Sequence, residues 1–120
     1  MKIINYYAIP GLKYHSPSKL KERTIIENVC NYFNLETVDL ESKCRNRNLV
    51  VARQLAMYFI KKYTNLTLLK IGQLFGNRDH TTVIHSINTI EDFIYIKDGK
   101  FLKMIYDIES TFLVKQPITI

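Results

Sequence analysis

An all-α domain built around a helix-turn-helix is the fold class this sequence predicts, and three observations predict it. Leu68, Ile71, Leu74 and Phe75 recur at helical spacing. So do Val83, Ile87, Ile90 and Ile94, over a longer stretch. Between the two lies Gly76-Asn77-Arg78-Asp79, a glycine turn followed by a residue type that starts helices. A short helix, a tight turn and a longer helix, in that order, make the helix-turn-helix arrangement, in which the second helix presents its first residues outward. A chain of 120 residues is large enough for one modest core and too small for two.

The other elements follow along the chain. Residues 1–17 carry Pro10-Gly11 and Ser16-Pro17 among Tyr6, Tyr7 and Tyr14, and are expected to be an irregular lead. Ser18 is placed to cap a first helix running to about Asn34, with Leu20, Ile25, Ile26, Val29, Cys30 and Phe33 as its apolar face. Thr37 is expected to cap a short turn to Leu40. A basic loop, Ser42 to Asn48, precedes an apolar-rich stretch from Leu49 to about Tyr63, the expected central helix, with Leu55, Tyr58 and Phe59 in the core. After the helix-turn-helix, Asp98-Gly99 breaks the chain. Phe101, Leu102, Ile105, Ile108, Glu109 and Phe112 then outline a last amphipathic helix, ending the domain near residue 113 before a Pro117-containing tail over 114–120. The domain is thus expected to occupy residues 18–113.

Charge is informative once it is mapped. Residues 42 to 78 contain no Asp or Glu but hold Lys43, Arg45, Arg47, Arg53, Lys61, Lys62, Lys70 and Arg78; the remaining 83 residues carry nine positive and eleven negative side chains. Such a block is either an ordinary solvated surface or a field for phosphates, whose counterions it would release on binding. The adjoining helix-turn-helix favours the second reading.

Other classes of function find little support. No run of 18 apolar residues is present and Met1–Tyr7 is too short and polar for a signal peptide, so a cytoplasmic location without a membrane is expected. Cys30 and Cys44 are expected to be free thiols: Cys30 buried on its helix, Cys44 exposed between Lys43 and Arg45, where a redox role is a minor alternative. His80 and His85 lie five apart, off the four-residue spacing that puts two metal ligands on one helix face, and His15 is in the lead; no metal or other cofactor is expected. No Ser or Cys sits in a nucleophile elbow, and Gly-x-x-x-x-Gly-Lys-[Ser/Thr] is absent, so neither catalysis nor nucleotide binding is expected.

The head of the second helix carries the most specific chemistry. Asp79 stands at the cap position, where its carboxylate could accept a backbone N–H and help orient Arg78. His80, Thr81 and Thr82 follow side by side, a cluster poorly explained by packing, and their hydroxyl, imidazole and methyl groups suit base edges. His85 lies four residues beyond Thr81 on the same stripe; it is a candidate further contact or a plain surface histidine.

The run Gly76-Asn77-Arg78-Asp79-His80-Thr81-Thr82-Val83-Ile84-His85, with Ser42–Arg47 and Arg53-Gln54 upstream, resembles the C-terminal DNA-binding domain of the bacterial replication initiator DnaA, over about residues 37 to 112. The resemblance implies a compact, Trp-repressor-like helical domain. It implies base contacts in the major groove from Asp79, His80, Thr81 and Thr82, and a minor-groove contact from Arg45. Arg53 and Gln54 match backbone-holding positions, and Lys43, Arg47, Lys70 and Arg78 are expected phosphate partners on charge and placement. Cys44 and Val51 stand where the family usually has arginines and Ala52 replaces a common proline, which implies a weaker backbone grip.

The leading expectation is therefore a non-enzymatic, sequence-specific binder of double-stranded DNA in replication initiation or regulation, of a phage or mobile element. The alternative is an adaptor that docks on replication proteins or a host initiator, using the lead residues Tyr6, Tyr7, Ile9, Leu12 and Tyr14.

Overall fold

The stretch around Leu55 is apolar on nearly every side, and a helix of that kind is stable only when other elements surround it. In the computed structural model, which describes residues 20–113, this is the central helix α2 (Arg47–Tyr63). Around it stand α1 (Glu22–Phe33), a 3-10 helix (Thr37–Glu41), α3 (Leu68–Leu74), α4 (His80–Tyr95) and α5 (Gly99–Leu113); the described residues include no strand. The expected lead, the Ser18 cap and the tail lie outside the described residues.

Helix starts differ from expectation at the 3-10 helix and α2, where they follow the capping bonds that form. α1 begins at Glu22 with Lys21 before it and no side-chain cap, and it ends at Asn34 in the left-handed conformation (φ 57°). The residue before the 3-10 helix is Glu36, not Thr37; the Asp39 carboxylate accepts its N–H at 2.9 Å. α2 starts two residues earlier than Leu49, because the Asn46 side chain accepts the Asn48 N–H at 3.0 Å and so satisfies a free donor of the first turn. Arg47 therefore belongs to the helix, and the loop shrinks to residues 42–46. Asp98 acts as the cap of α5: its Oδ1 accepts from the N–H groups of Lys100 and Phe101, both at 3.1 Å.

One core holds these helices together. Ile25 and Val29 of α1, Leu55, Met57, Phe59 and Ile60 of α2, Ile71 of α3, Val83 and Ile90 of α4 and Ile108 of α5 are all fully buried. Each such side chain stabilises the fold by about 1.5–3 kcal/mol relative to an exposed position. Phe112 meets Phe59 edge-on, ring centroids 5.5 Å apart, and Tyr63 at 5.6 Å, which fastens the end of α5 to α2. The Glu109 carboxylate reinforces the join by accepting from Tyr63 Oη at 2.6 Å and Lys62 Nζ at 3.1 Å. Lys62 thus leaves the basic block to serve packing. No described helix is long and apolar enough to cross a membrane.

Candidate nucleic-acid interface

The turn between α3 and α4 is shaped by backbone demands that glycine and asparagine meet. Gly76 (φ 81°) and Asn77 (φ 57°) are consecutive left-handed residues, a conformation that costs glycine nothing and asparagine little. Gly72 is required for a different reason: a Cβ there would overlap the Arg78 carbonyl, and its own carbonyl accepts the Arg78 N–H at 2.9 Å. This return contact folds the turn back on α3 and sets the direction in which α4 leaves.

α4 buries Val83, Ser86, Ile87 and Ile90 and leaves His80, Thr81, Thr82 and His85 exposed. With 3.6 residues per turn, the buried set occupies one stripe, and Thr81 and His85 point away from it together. The tip is open: the side chains of Asp79 and His80 are 67% and 59% exposed. Asp79 does occupy the cap position, but its carboxylate makes no cap hydrogen bond. The first turn is closed by its carbonyl, which accepts from Thr82 at 2.9 Å and Val83 at 3.2 Å. The carboxylate instead lies 3.4 Å from His80 Nδ1, and it does not orient Arg78 as expected.

Arg78 is held by both the turn and the loop. Its Nη1 donates to the Phe75 carbonyl and its Nη2 to the Ser42 carbonyl at 2.9 Å. Arg53, projecting from α2, is only 8% exposed and donates Nε to Leu40 O at 3.0 Å, and Nη2 to Ser42 O at 3.0 Å and Cys44 O at 3.5 Å. Burial, and secondarily the Arg78 charge, pull the Arg53 guanidinium below its usual pKa range. Both arginines were expected on phosphates. In the unbound chain, Nε and Nη2 of Arg53 and both terminal nitrogens of Arg78 donate to the chain's own carbonyls.

Between loop and turn lies an open groove of about 720 Å³ lined by Lys43, Cys44, Arg45, Val50, Arg53, Gly76, Asn77 and Arg78. Lys43, Arg45 and Arg47 are exposed, as is Lys70 on α3, while Gln54 is half-buried. Of the two family arginine positions occupied by other residues, Cys44 is exposed but Val51 is in the core, so only the first departure changes the open surface. The loop's own shape comes from Ser42, whose hydroxyl donates to Asp39 O at 2.7 Å and accepts from Cys44 N at 3.3 Å.

Ser42, Asn46, Gly72 and the Thr67 cap of α3, whose hydroxyl accepts the Lys70 N–H at 3.1 Å, are the positions that sequence reasoning did not single out. For Asn46 and Thr67 a local signal existed, since both are preferred capping residues just ahead of an apolar run.

A helix-turn-helix whose second helix opens with exposed polar side chains, beside a basic loop, defines the class of DNA-binding helix-turn-helix domains. Residues 23–90 match the family model described as the bacterial dnaA protein helix-turn-helix, and the chain belongs to that family. It is 35% identical over 104 residues to the chromosomal replication initiator protein DnaA of Bacteroides thetaiotaomicron, covering 87% of this chain and 22% of that protein. The DnaA of Flavobacterium psychrophilum is 45% identical over 82 residues, covering 68% and 17%. A DNA replication initiation factor of known crystal structure superposes with a TM-score of 0.65 at 34% identity, over 79% of this chain and 29% of that one. The chain therefore spans about a fifth of the length of the curated relatives it matches.

Proposed function

We propose that the protein binds double-stranded DNA sequence-specifically, with the tip of α4 in the major groove and the 42–46 loop in the adjacent minor groove. The setting would be replication initiation or its regulation, of a chromosome, a phage or a mobile element. One observation carries this reading: a shared groove joins Lys43 and Arg45 to the turn that launches the exposed residues Asp79, His80, Thr81 and Thr82. Loop and tip are neighbours, as two elements reading adjoining grooves must be.

In this reading the tip residues, with His85 behind them, face base edges. Arg45 enters a narrow, negative minor groove, and Lys43, Arg47, Lys70 and Gln54 hold the backbone. No step requires a nucleotide or metal. The test is a titration of labelled duplex carrying an initiator-type box against a scrambled control, at two salt concentrations. Tighter binding of the box at both salts is expected, and equal affinity for the two duplexes would defeat the specificity.

The adaptor reading keeps one observation in its favour. Tyr95, Ile96 and Tyr106 are large, exposed apolar side chains on α4, its C-terminal end and α5. Such residues anchor protein interfaces. Substituting Tyr95 and Tyr106 by Ser separates the two readings: DNA affinity stays unchanged, while an adaptor would lose its replication-protein partner.

A further inference from the structure

Ser42 O accepts from two guanidinium groups that come from different parts of the chain, Arg53 Nη2 at 3.0 Å and Arg78 Nη2 at 2.9 Å. A carbonyl oxygen has two lone pairs, so it can serve both donors. Two cations brought to one oxygen repel each other, so an arrangement of this kind persists only where the bonds it makes outweigh the repulsion. Each guanidinium also bonds a second carbonyl on its own side: Arg53 that of Leu40, at the root of the loop, and Arg78 that of Phe75, at the start of the turn. Backbone contact seals the same junction, since a Cβ on Gly76 would come within 2.5 Å of the Glu41 carbonyl oxygen. Root of loop and turn thus abut at Glu41–Ser42 and Gly76–Arg78. Arg45 lies three residues beyond one side of the junction, and His80 two residues beyond the other.

We infer that Arg53 and Arg78 are a pair of positioning residues that clamp the loop to the turn and fix the spacing between the two reading elements. The inference deepens the DNA-binding reading and rests on it. The consequence concerns where the arginines act: they set how Arg45 is presented, and they contribute to affinity through Arg45 and not as phosphate ligands of their own. Planar forks are needed for this, because each guanidinium bonds carbonyls in two directions at once. A lysine keeps the charge but offers a single nitrogen.

Charge-preserving substitution therefore separates the two roles. Arg78→Lys is compared with wild type, Arg45→Ala and the double variant Arg45→Ala/Arg78→Lys, on box duplex over a salt series. Amide hydrogen exchange is followed in residues 43–46 without DNA. Positioning predicts faster exchange at 43–46 in Arg78→Lys while α2 and α4 stay protected, a loss of affinity of about fivefold or more, and a double variant little weaker than Arg45→Ala alone. The slope of log affinity against log salt should match wild type, since no phosphate contact is lost. Unchanged exchange, or losses that simply multiply in the double variant, would overturn the inference. Arg53→Lys gives the same test should Arg78→Lys not fold; if both unfold, the pair serves the fold and the inference is overturned. Wild-type protein that did not distinguish box from scrambled duplex would remove the DNA reading instead, and the exchange measurement would still decide whether the clamp exists.

Discussion

Arg53 and Arg78 stand 25 positions apart in the chain, yet their Nη2 atoms donate to the same carbonyl oxygen, that of Ser42, at 3.0 and 2.9 Å. One belongs to the central helix and the other to the turn, so the basic loop is tied to both the core and the helix-turn-helix. The loop and the tip of α4 thus adjoin on one core, and the testable consequences separate by element.

At the tip of α4, His80→Ala and Thr81→Ala should each cost about 1–3 kcal/mol of binding on the cognate duplex. Neither should change affinity for a scrambled one. Fluorescence anisotropy with both duplexes checks this, and a uniform loss on the two would place these residues on the backbone.

For the loop, the minor groove offers its own control. Replacing A·T pairs beneath Arg45 by G·C adds the guanine amino group to the groove, whereas inosine·C pairs lack it. Wild-type protein should discriminate against G·C and accept inosine·C at those positions. Arg45→Ala should erase the difference.

Lys43, Arg47 and Lys70 are exposed cations without an acidic neighbour in sequence from 42 to 78. Each alanine substitution should reduce the magnitude of the salt slope by about 0.9, whatever the duplex sequence. An unchanged slope in all three would show that phosphates bind elsewhere.

The two cysteines should differ in reactivity. Cys30 is 2% exposed, and burial, followed by the charges of Asp39, Glu36 and Glu27, pushes its thiol up to about 11, so near neutral pH it is a shielded, protonated thiol. Cys44 is exposed. A thiol reagent at pH 7.5 should modify one site per native chain, at Cys44, and two after unfolding; mass spectrometry of the peptides reads this directly.

Two glycines make a matched pair for stability. Gly72→Ala forces a Cβ onto the Arg78 carbonyl and should destabilise the domain by roughly 1–3 kcal/mol. Gly99→Ala meets nothing within 4 Å and should be neutral or stabilising by up to about 1 kcal/mol, because alanine favours a helix. Thermal melts of the two variants should shift in opposite directions or differ clearly in size.

Much of this architecture can be read from residue order. Apolar spacing alone finds α4 and α5 and places Ile25, Val29, Phe59 and Phe112 in the core, because burial and periodicity are two aspects of one geometry. Helix starts are harder. α2 begins at Arg47 because of one Asn46 side-chain bond, and α1 begins without any such bond. The cluster at the tip of α4 is legible since its residues are contiguous. The bonds of Arg53 and Arg78 to the loop are not legible in the same way: the carbonyls of Leu40 and Ser42 lie 13 and 11 residues from Arg53, and that of Ser42 lies 36 from Arg78, so these pairings appear only when the chain has folded. Asp79 shows the same limit on a smaller scale, as a cap residue whose carbonyl rather than carboxylate closes the helix.

The most direct measurement is a crystal structure of the protein with a bound box duplex. His80 and Thr81 are predicted to lie within hydrogen-bond or van der Waals distance of base edges in the major groove, with Arg45 in the neighbouring minor groove. A complex in which DNA is gripped by another face, and the tip of α4 remains in solvent, would contradict the account.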